Sequence, residues 1–255
     1  MRKFSAGILV LLLLSTARAQ WRQVSSESEL SPQRGLEHRY IVVEDSAAGD
    51  RASLELAIFS TKAFRLRIVD QSSEPRGDLE EAMSRGKFLA GVNGGYFSPE
   101  YNPIGLLIVD GKIVAPLQRA RLLSGVLSAS AKKVQILRVA EFSLNQKPDS
   151  AVECGPMIVD LGKSVHGLES SKTARRTFAA IGSGDKAALG FCSDVTLADF
   201  SNILAAIVIP DFKIQRALNL DGGSSSAFWF KRANGSAFSI SELKPVRDFV
   251  AIVPR

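Results

Sequence analysis

Short runs of alternating or β-branched apolar residues recur along most of the chain. The runs at 40–43, 54–59 and 64–69 are of this kind, and further short runs follow at intervals up to 249–253. A period of two is typical of half-buried β-strands, so the pattern predicts a series of strands from residue 40 onwards. Strands do not alternate regularly with helices, which disfavours repeated βαβ units.

Two segments show helical spacing instead. Leu79, Ala82 and Met83 share one helical face between Gly77 and Gly86. A longer helix is predicted to begin after Thr196 and to end before Pro210. Its apolar face comprises Leu197, Phe200, Ile203, Leu204, Ile207 and Val208. One long helix, one or two shorter ones and many strands predict an α+β fold, a single domain with mixed or antiparallel sheets.

The amino terminus resembles a signal peptide over residues 1–19. Arg2 and Lys3 precede an apolar run at 8–14, and Ala17 and Ala19 form an A-x-A cleavage pattern. The apolar run is too short to span a bilayer, which takes about 20 residues. We therefore expect a periplasmic or secreted protein with no transmembrane segment after signal removal, an uncleaved anchor being the alternative. Polar residues dominate 20–37, which predicts a lead-in segment before a domain over 38–255.

Composition places the chain among globular proteins. It has 255 residues, of which 45% are hydrophobic and 23% charged, and a formal net charge of +6. Residues 1–19 hold three basic residues and no acid, so the rest has 29 basic and 26 acidic groups, a charge of +3. So small an excess gives little support to nucleic-acid binding, and we expect no such partner.

Several common catalytic motifs are absent from the sequence. Its two histidines, His38 and His166, are too few for a histidine-rich zinc site. No H-E-x-x-H, C-x-x-C, G-x-S-x-G, P-loop or G-x-G-x-x-G pattern occurs. A serine hydrolase would need one of these histidines to meet a serine through folding alone.

Cys154 and Cys192 are the two cysteines of the chain. In an oxidising compartment they can form one disulfide, worth roughly 3–4 kcal/mol in the chain-entropy model. Two separately buried thiols are the alternative, because a free cysteine packs like a small hydrophobic residue.

Polar residues followed by glycines stand after two predicted strands. The first motif is Asn93-Gly94-Gly95, and the second is Asp221-Gly222-Gly223-Ser224. Glycines let backbone N–H groups approach a ligand closely, although Asn-Gly and Asp-Gly also mark plain hairpin turns. A third glycine, Gly155, follows another predicted strand. Together these motifs predict a site where several strand ends meet.

Arg176 precedes the apolar segment 178–181. A guanidinium at the start of a buried strand suits a phosphate or carboxylate partner, whereas the simpler interpretation is a solvated charge.

In their order along the chain, these motifs resemble the phosphodiester glycosidase domain family. The matching pieces are 92–97, 102–105, 155–159, Arg176-Thr177, the helix from Thr196 and 219–225, and the resemblance spans about 85–253. The family includes N-acetylglucosamine-1-phosphodiester α-N-acetylglucosaminidase catalytic domains and bacterial exported proteins. It often has proline where Arg175 stands and glycine where Ser224 stands. The resemblance implies a mixed α+β domain that hydrolyses a sugar-1-phosphodiester.

For that reaction we hypothesise Asp221 as the catalytic carboxylate, Arg176 as the phosphate clamp and Asn93 as the residue that orients sugar or water. Glu153 and Asp194 are candidates for a second carboxylate. The expected substrate-binding residues are Gly94, Gly95, Gly155, Thr177, Gly222, Gly223 and Ser224.

We expect no required cofactor, although Asp221 and Asp194 have the oxygen ligands to help hold a divalent cation. The expected substrate is a sugar phosphate or cell-envelope glycan. A non-catalytic periplasmic glycan- or cell-wall-binding module is the main alternative, and a structural envelope protein is the third.

Overall fold

The structure is a computed structural model that describes residues 20–255. The signal peptide predicted for residues 1–19 lies outside the described residues. The strands are β1 (Trp21–Leu30), β2 (Leu36–Asp45), β3 (Arg51–Ser60), β4 (Phe64–Asp70), β5 (Ala90–Asn93), β6 (Leu107–Val109), β7 (Lys112–Ala115), β8 (Gly125–Ala129), β9 (Val134–Arg138), β10 (Ser150–Cys154), β11 (Met157–Asp160), β12 (Lys163–Ser164), β13 (Ala174–Gly182), β14 (Lys186–Val195), β15 (Ile214–Asn219), β16 (Phe228–Lys231), β17 (Ala237–Ile240) and β18 (Asp248–Pro254). The α-helices are α1 (Leu79–Arg85) and α2 (Leu197–Ala206), and short 3-10 helices lie at Val139–Glu141, Leu144–Gln146 and Gly223–Ser225.

These strands form three sheets. The large sheet has the order β1-β2-β3-β14-β13-β15-β11-β12, the second β7-β6-β10-β8-β9, and the third β17-β16-β5-β18-β4. Neighbouring strands within them are antiparallel. Strands distant in sequence therefore become neighbours, as β3 and β14 do.

The main hydrophobic core takes side chains from all three sheets. It includes Phe59 and Leu218 from the large sheet, Val152 from the second, and Phe228 and Val250 from the third. Fully burying a side chain of this size contributes roughly 2 kcal/mol. The shared core brings β5, β10, β13 and β15 together, and the candidate site lies at their ends.

The helices cover outer faces of the sheets. Helix α1 buries Leu79, Ala82 and Met83, which confirms the predicted short helix, and Asp78 caps it by accepting from the Glu81 N–H at 2.8 Å. Helix α2 begins at the predicted cap, where the Thr196 hydroxyl accepts from the Asp199 N–H. It packs on the large sheet opposite the main core.

The fold corrects the predicted α+β class with one long helix. The described chain is mostly β, and α1 and α2 have only 7 and 10 residues. Helix α2 ends at Ala206 because Ile207 is already extended, with φ −61° and ψ 141°. The next residues turn back so that Ile209 and Phe212 can be buried. The apolar spacing at 207 and 208 therefore overstated the helix.

The predicted polar lead-in segment, residues 20–37, contains a strand that the sequence analysis did not predict. Most of this segment is strand β1, an edge strand paired with β2 along its length. Its polar composition reflects exposure, because most of its residues face solvent. Within residues 20–255, no helix is long and apolar enough to cross a membrane.

Candidate active site

Asn93 joins three distant segments of the chain. It ends β5 and is fully buried. Its Oδ1 accepts from the Thr177 hydroxyl at 2.7 Å and from the Ala227 N–H at 3.0 Å, and its Nδ2 donates to the Asp221 carbonyl at 2.7 Å. The Asn93 amide is therefore committed to protein partners, and it holds the segment of Asp221 in place.

Asp221 follows β15 and is half-buried. Its N–H donates to the Gly94 carbonyl at 3.0 Å, and its Oδ1 accepts from the Gly222 N–H at 2.9 Å. Burial raises the pKa of Asp221 from 3.8 to about 6, against hydrogen bonds from Ser225 and Gly222 that lower it. A carboxylate with this pKa can accept and release a proton near neutral pH.

The turn after Asp221 offers two free backbone donors. Gly223 has φ +63°, a conformation that favours glycine, and it opens the 3-10 helix Gly223–Ser225. Within residues 20–255, the N–H groups of Gly223 and Ser224 make no hydrogen bond. Unpaired N–H groups at the start of a helical turn can bind an anion.

Asp248, which sequence reasoning missed, explains the glycines of the first motif. Its carbonyl accepts from the Gly94 N–H at 2.9 Å, and its Oδ1 accepts from the Gly95 N–H at 3.1 Å. A Cβ on Gly94 would lie 1.8 Å from that Oδ1. Gly94 and Gly95 were predicted to bind substrate. Their N–H groups are instead bonded to Asp248 and are not free for a ligand. The signal in the sequence that could have identified Asp248 is its place at the start of the otherwise apolar strand β18.

Asp248 itself is almost completely buried, and its Oδ2 has no hydrogen-bond partner within residues 20–255. Its pKa is raised from 3.8 to about 7, mainly by burial and to a lesser extent by the charges of Asp70 and Asp221, against the Gly95 hydrogen bond and the Arg247 charge, which lower it. Asp221 and Asp248 therefore form a pair of carboxyl groups with raised pKa values at the ends of adjoining segments.

Tyr96 connects this region to Gly155. Its hydroxyl donates to the Gly155 carbonyl at 2.6 Å and accepts from Asn219 Nδ2 at 3.2 Å. Burial is the main cause that raises the pKa of Tyr96, and the nearby charges of Asp221 and Arg176 act in opposite directions. Both charges are therefore within electrostatic reach of this hydroxyl. Gly155 contributes a carbonyl to the framework.

Arg176 lies at the edge of the same region. Its Nε donates to the Val195 carbonyl at 3.0 Å and its Nη2 to the Lys172 carbonyl at 2.9 Å, while Nη1 makes no hydrogen bond within residues 20–255. Burial lowers its pKa. The neighbouring Thr177 side chain lies on the opposite face of β13, where it bonds Asn93. Arg176 therefore keeps one donor for a ligand.

A family model for phosphodiester glycosidases matches residues 86–253. The chain belongs to the phosphodiester glycosidase family. It is accordingly a hydrolase of that type.

Two solved structures resemble this phosphodiester glycosidase. The auto-inhibited catalytic domain of zebrafish N-acetylglucosamine-1-phosphodiester α-N-acetylglucosaminidase is 16% identical, with a TM-score of 0.63 over 91% of this chain and 89% of that chain. A candidate exported protein from Burkholderia pseudomallei is 13% identical, with a TM-score of 0.49 over 81% and 75% of the two chains. The first likeness supports the fold. A search of curated proteins found no match.

The two further carboxylates predicted for the glycosidase site make no hydrogen bond to Asn93, Arg176 or Asp221 within residues 20–255. Glu153 is fully buried, and its Oε2 accepts from the Leu106 and Gln118 N–H groups at 2.8 and 2.9 Å, so it holds the loop after Gly105. Asp194 is exposed, and its charge acts on Arg176. Among residues 20–255, no group of three His, Cys, Asp or Glu side chains is arranged to hold a metal ion.

The cysteines of the glycosidase are not joined. Both thiols are free and buried, and burial raises the pKa of each. Cys154 packs in the main core and Cys192 in the cluster beneath α2, on opposite faces of the large sheet. The structure thus shows the second alternative, two separately buried thiols.

Proposed function

We propose that the protein hydrolyses a sugar-1-phosphodiester between the anomeric carbon and the phosphate oxygen, with Asp221 as the general base. The observation that carries this proposal is the half-buried Asp221 carboxyl, whose pKa of about 6 suits proton transfer near neutral pH. It stands beside the free N–H groups of Gly223 and Ser224. Membership in the phosphodiester glycosidase family supports the reaction type.

In the proposed step, Asp221 takes a proton from water as the water oxygen bonds to the anomeric carbon. The electrons of the breaking carbon–oxygen bond go to the phosphate, which leaves as a monoester. A phosphate monoester is a better leaving group than a sugar alcohol, so a second carboxylic acid to protonate it matters less than in ordinary glycoside hydrolysis. We accordingly assign no chemical step to Glu153 or Asp194.

The phosphate is proposed to bind the N–H groups of Gly223 and Ser224 together with Nη1 of Arg176. Free backbone donors and an arginine are the groups that bind phosphate oxygens and the charge that grows on them during cleavage. Asn93 and Thr177 act as positioning residues, because their polar side-chain atoms bond within the protein.

The proposed substrate is a sugar phosphodiester of the cell envelope, and the proposed location is the periplasm or the exterior. The location rests on the signal-peptide pattern of residues 1–19. The mechanism uses only groups of this chain. We therefore expect a chelator to leave the rate unchanged.

Replacement of Asp221 by asparagine tests the proposal. The purified protein and its variants would be incubated with a chromogenic sugar-1-phosphodiester, and release of the chromophore would be measured. We expect Asp221→Asn to fold and to lose at least about a hundredfold in kcat, the range of a general base. Asp211→Asn is the matched control, since Asp211 is exposed at φ +57°, where asparagine is tolerated.

Near-normal turnover in Asp221→Asn would contradict the assigned base. Tight binding of the substrate without release by the unmodified protein would instead indicate a glycan-binding module.

A further inference from the structure

A cavity of about 480 Å³ lies between the first strands of the large sheet and the third sheet. Its lining includes Glu27, Glu29, His38, Tyr40, Glu55 and Phe238. Five of these six residues precede residue 86, where the family match begins. None of the six hydrogen-bonds to Asn93, Arg176 or Asp221 within residues 20–255. The proposed hydrolysis therefore does not account for this cavity.

The strand register builds the cavity wall. Tyr40 of β2 stands opposite Glu27 of β1 on one side and opposite Glu55 of β3 on the other. Side chains directly opposite one another on antiparallel strands lie on the same face of the sheet. An aromatic ring is therefore flanked by two carboxylates in one row.

Next to this row, His38 lies between two carboxylates, with Glu29 directly opposite it on β1 and Glu55 diagonally across on β3. His38 is buried, its Nδ1 lies 2.8 Å from Glu29 Oε1, and its Nε2 lies 2.7 Å from Glu55 Oε2. Arg232 adds a salt bridge from its Nε to Glu29 at 3.0 Å. Glu29 thus has two partners, whereas Glu55 uses only one of its oxygens.

Within residues 20–255, the unused polar groups of the cavity are carboxylate and phenol oxygens together with the Nη donors of Arg232. Glu55 has a side chain only 8% exposed, yet its Oε1 makes no hydrogen bond within residues 20–255. Nor does the Glu27 carboxylate or the Tyr40 hydroxyl within that range. Three carboxylates line the cavity against one arginine, so its charge favours a ligand that brings donors and positive charge.

We propose that this cavity binds an organic ligand through a primary ammonium group, seated against the Tyr40 ring between Glu27 and Glu55. An ammonium supplies three donors and no acceptor, which matches the free oxygens, and its charge is attracted to an aromatic face. Because Glu27, Glu29 and Glu55 outnumber Arg232 in the lining, a phosphate or carboxylate ligand would be repelled. Phe238 provides an apolar wall for the rest of the ligand.

Isothermal titration calorimetry with a matched pair of probes tests the proposal. The probes are 2-phenylethylamine, a cation at pH 7, and 2-phenylethanol, which has similar shape and no charge. We expect saturable binding of the amine to the purified protein and binding at least about tenfold weaker for the alcohol, because the alcohol cannot make the charge-assisted hydrogen bonds of an ammonium.

Variants locate the binding. Glu55→Gln keeps the shape of the side chain and removes its charge, so affinity for the amine should fall at least about tenfold. Glu44→Gln is the matched control on β2, because Glu44 bonds only Arg22 and Arg51 within residues 20–255. If Glu55→Gln does not fold, the exposed Glu27→Gln replaces it, with the affinity again expected to fall.

Three results would overturn the proposal. The first is equal affinity for amine and alcohol, the second is unchanged amine binding in the carboxamide variants, and the third is no amine binding at all. If methyl glucoside binds to the unmodified protein and this binding is lost in Glu55→Gln, the cavity would be a site for a neutral sugar instead.

Discussion

Two regions of this protein place carboxyl groups in opposite electrostatic surroundings. Asp221 and Asp248 have backbone and hydroxyl partners and no salt bridge within residues 20–255, and burial raises their pKa values to about 6 and about 7. Burial also acts to raise the pKa of Glu29, but the hydrogen bonds and charges of His38 and Arg232 outweigh it and lower that pKa. The first arrangement suits proton transfer, and the second suits binding by fixed charge.

The two regions also differ in their relation to the family. Asn93, Asp221 and Asp248 lie inside the matched residues 86–253, whereas His38 and Glu55 lie on strands before them. The part of the chain that defines the family therefore contains the proposed catalytic groups. Strands β1 to β3, which precede the matched residues, belong to the large sheet and form most of the second cavity.

The largest expected effect concerns Asp248. An unfolded chain releases this proton near pH 3.8, whereas the folded protein holds it until about pH 7. The proton therefore favours folding at low pH, and this contribution is lost as the pH rises from about 4 to 7. The change from 3.8 to about 7 corresponds to roughly 4 kcal/mol as an upper value.

Urea unfolding at several pH values measures this effect. The difference in unfolding free energy between Asp248→Asn and the unmodified protein should grow in favour of the variant between pH 4 and 7. Equal pH slopes for the two proteins would show that Asp248 is not held protonated.

Asn93→Ala should have the next largest effect. It removes three hydrogen bonds and leaves the Thr177 hydroxyl and the Ala227 N–H buried without their partner. We expect a loss of roughly 3 kcal/mol in the free energy of unfolding, together with strongly reduced hydrolysis. Urea unfolding at pH 7 measures it, with the exposed Asn145→Ala as the control. If Asn93→Ala loses no more stability than the control, the hydrogen bonds of Asn93 do not hold the site together as described.

Features that depend on residues close together in the sequence could be predicted, and features that depend on distant residues could not. The helix α1 and the α2 cap were predictable, because they depend on residues within one or two turns. Asp248 was missed because its partner Gly95 lies 153 residues away. Strand β1 was missed because an exposed edge strand carries no apolar alternation.

The candidate site was predictable in part for the same reason. The Asn93 and Asp221 motifs contain local glycine signals, and the structure joins them through hydrogen bonds. The roles of the individual glycines depend on which distant atom occupies the space beside them. Gly94 makes room for Asp248, whereas Gly223 has open space beside its Cα.

Arg176→Lys is expected to have a smaller effect, on activity alone. Lysine keeps the charge but loses the planar group that bonds Val195 and Lys172 while presenting Nη1. We expect kcat/KM for the sugar phosphodiester to fall about tenfold, the value of one charged hydrogen bond. The exposed Arg119→Lys should leave it unchanged. Identical kinetics for both variants would remove Arg176 from phosphate binding.

Glu29→Gln should change stability least. Glu29 is partly exposed, and ion pairs of such groups contribute up to about 1 kcal/mol. Thermal unfolding at low and high salt measures the change, which should shrink as salt screens the charges. A large loss insensitive to salt would mean that this cluster depends on packing more than on charge.

The most direct measurement is the pH dependence of kcat/KM for a chromogenic sugar phosphodiester. Because the proposed base must be ionised, kcat/KM should rise about tenfold for each pH step of one below the pKa of Asp221 and level off above it. The bend is expected near pH 6, the value that burial produces for this carboxyl. A rate that is flat between pH 4 and 8, or that bends near pH 4, would contradict a buried Asp221 acting as the base.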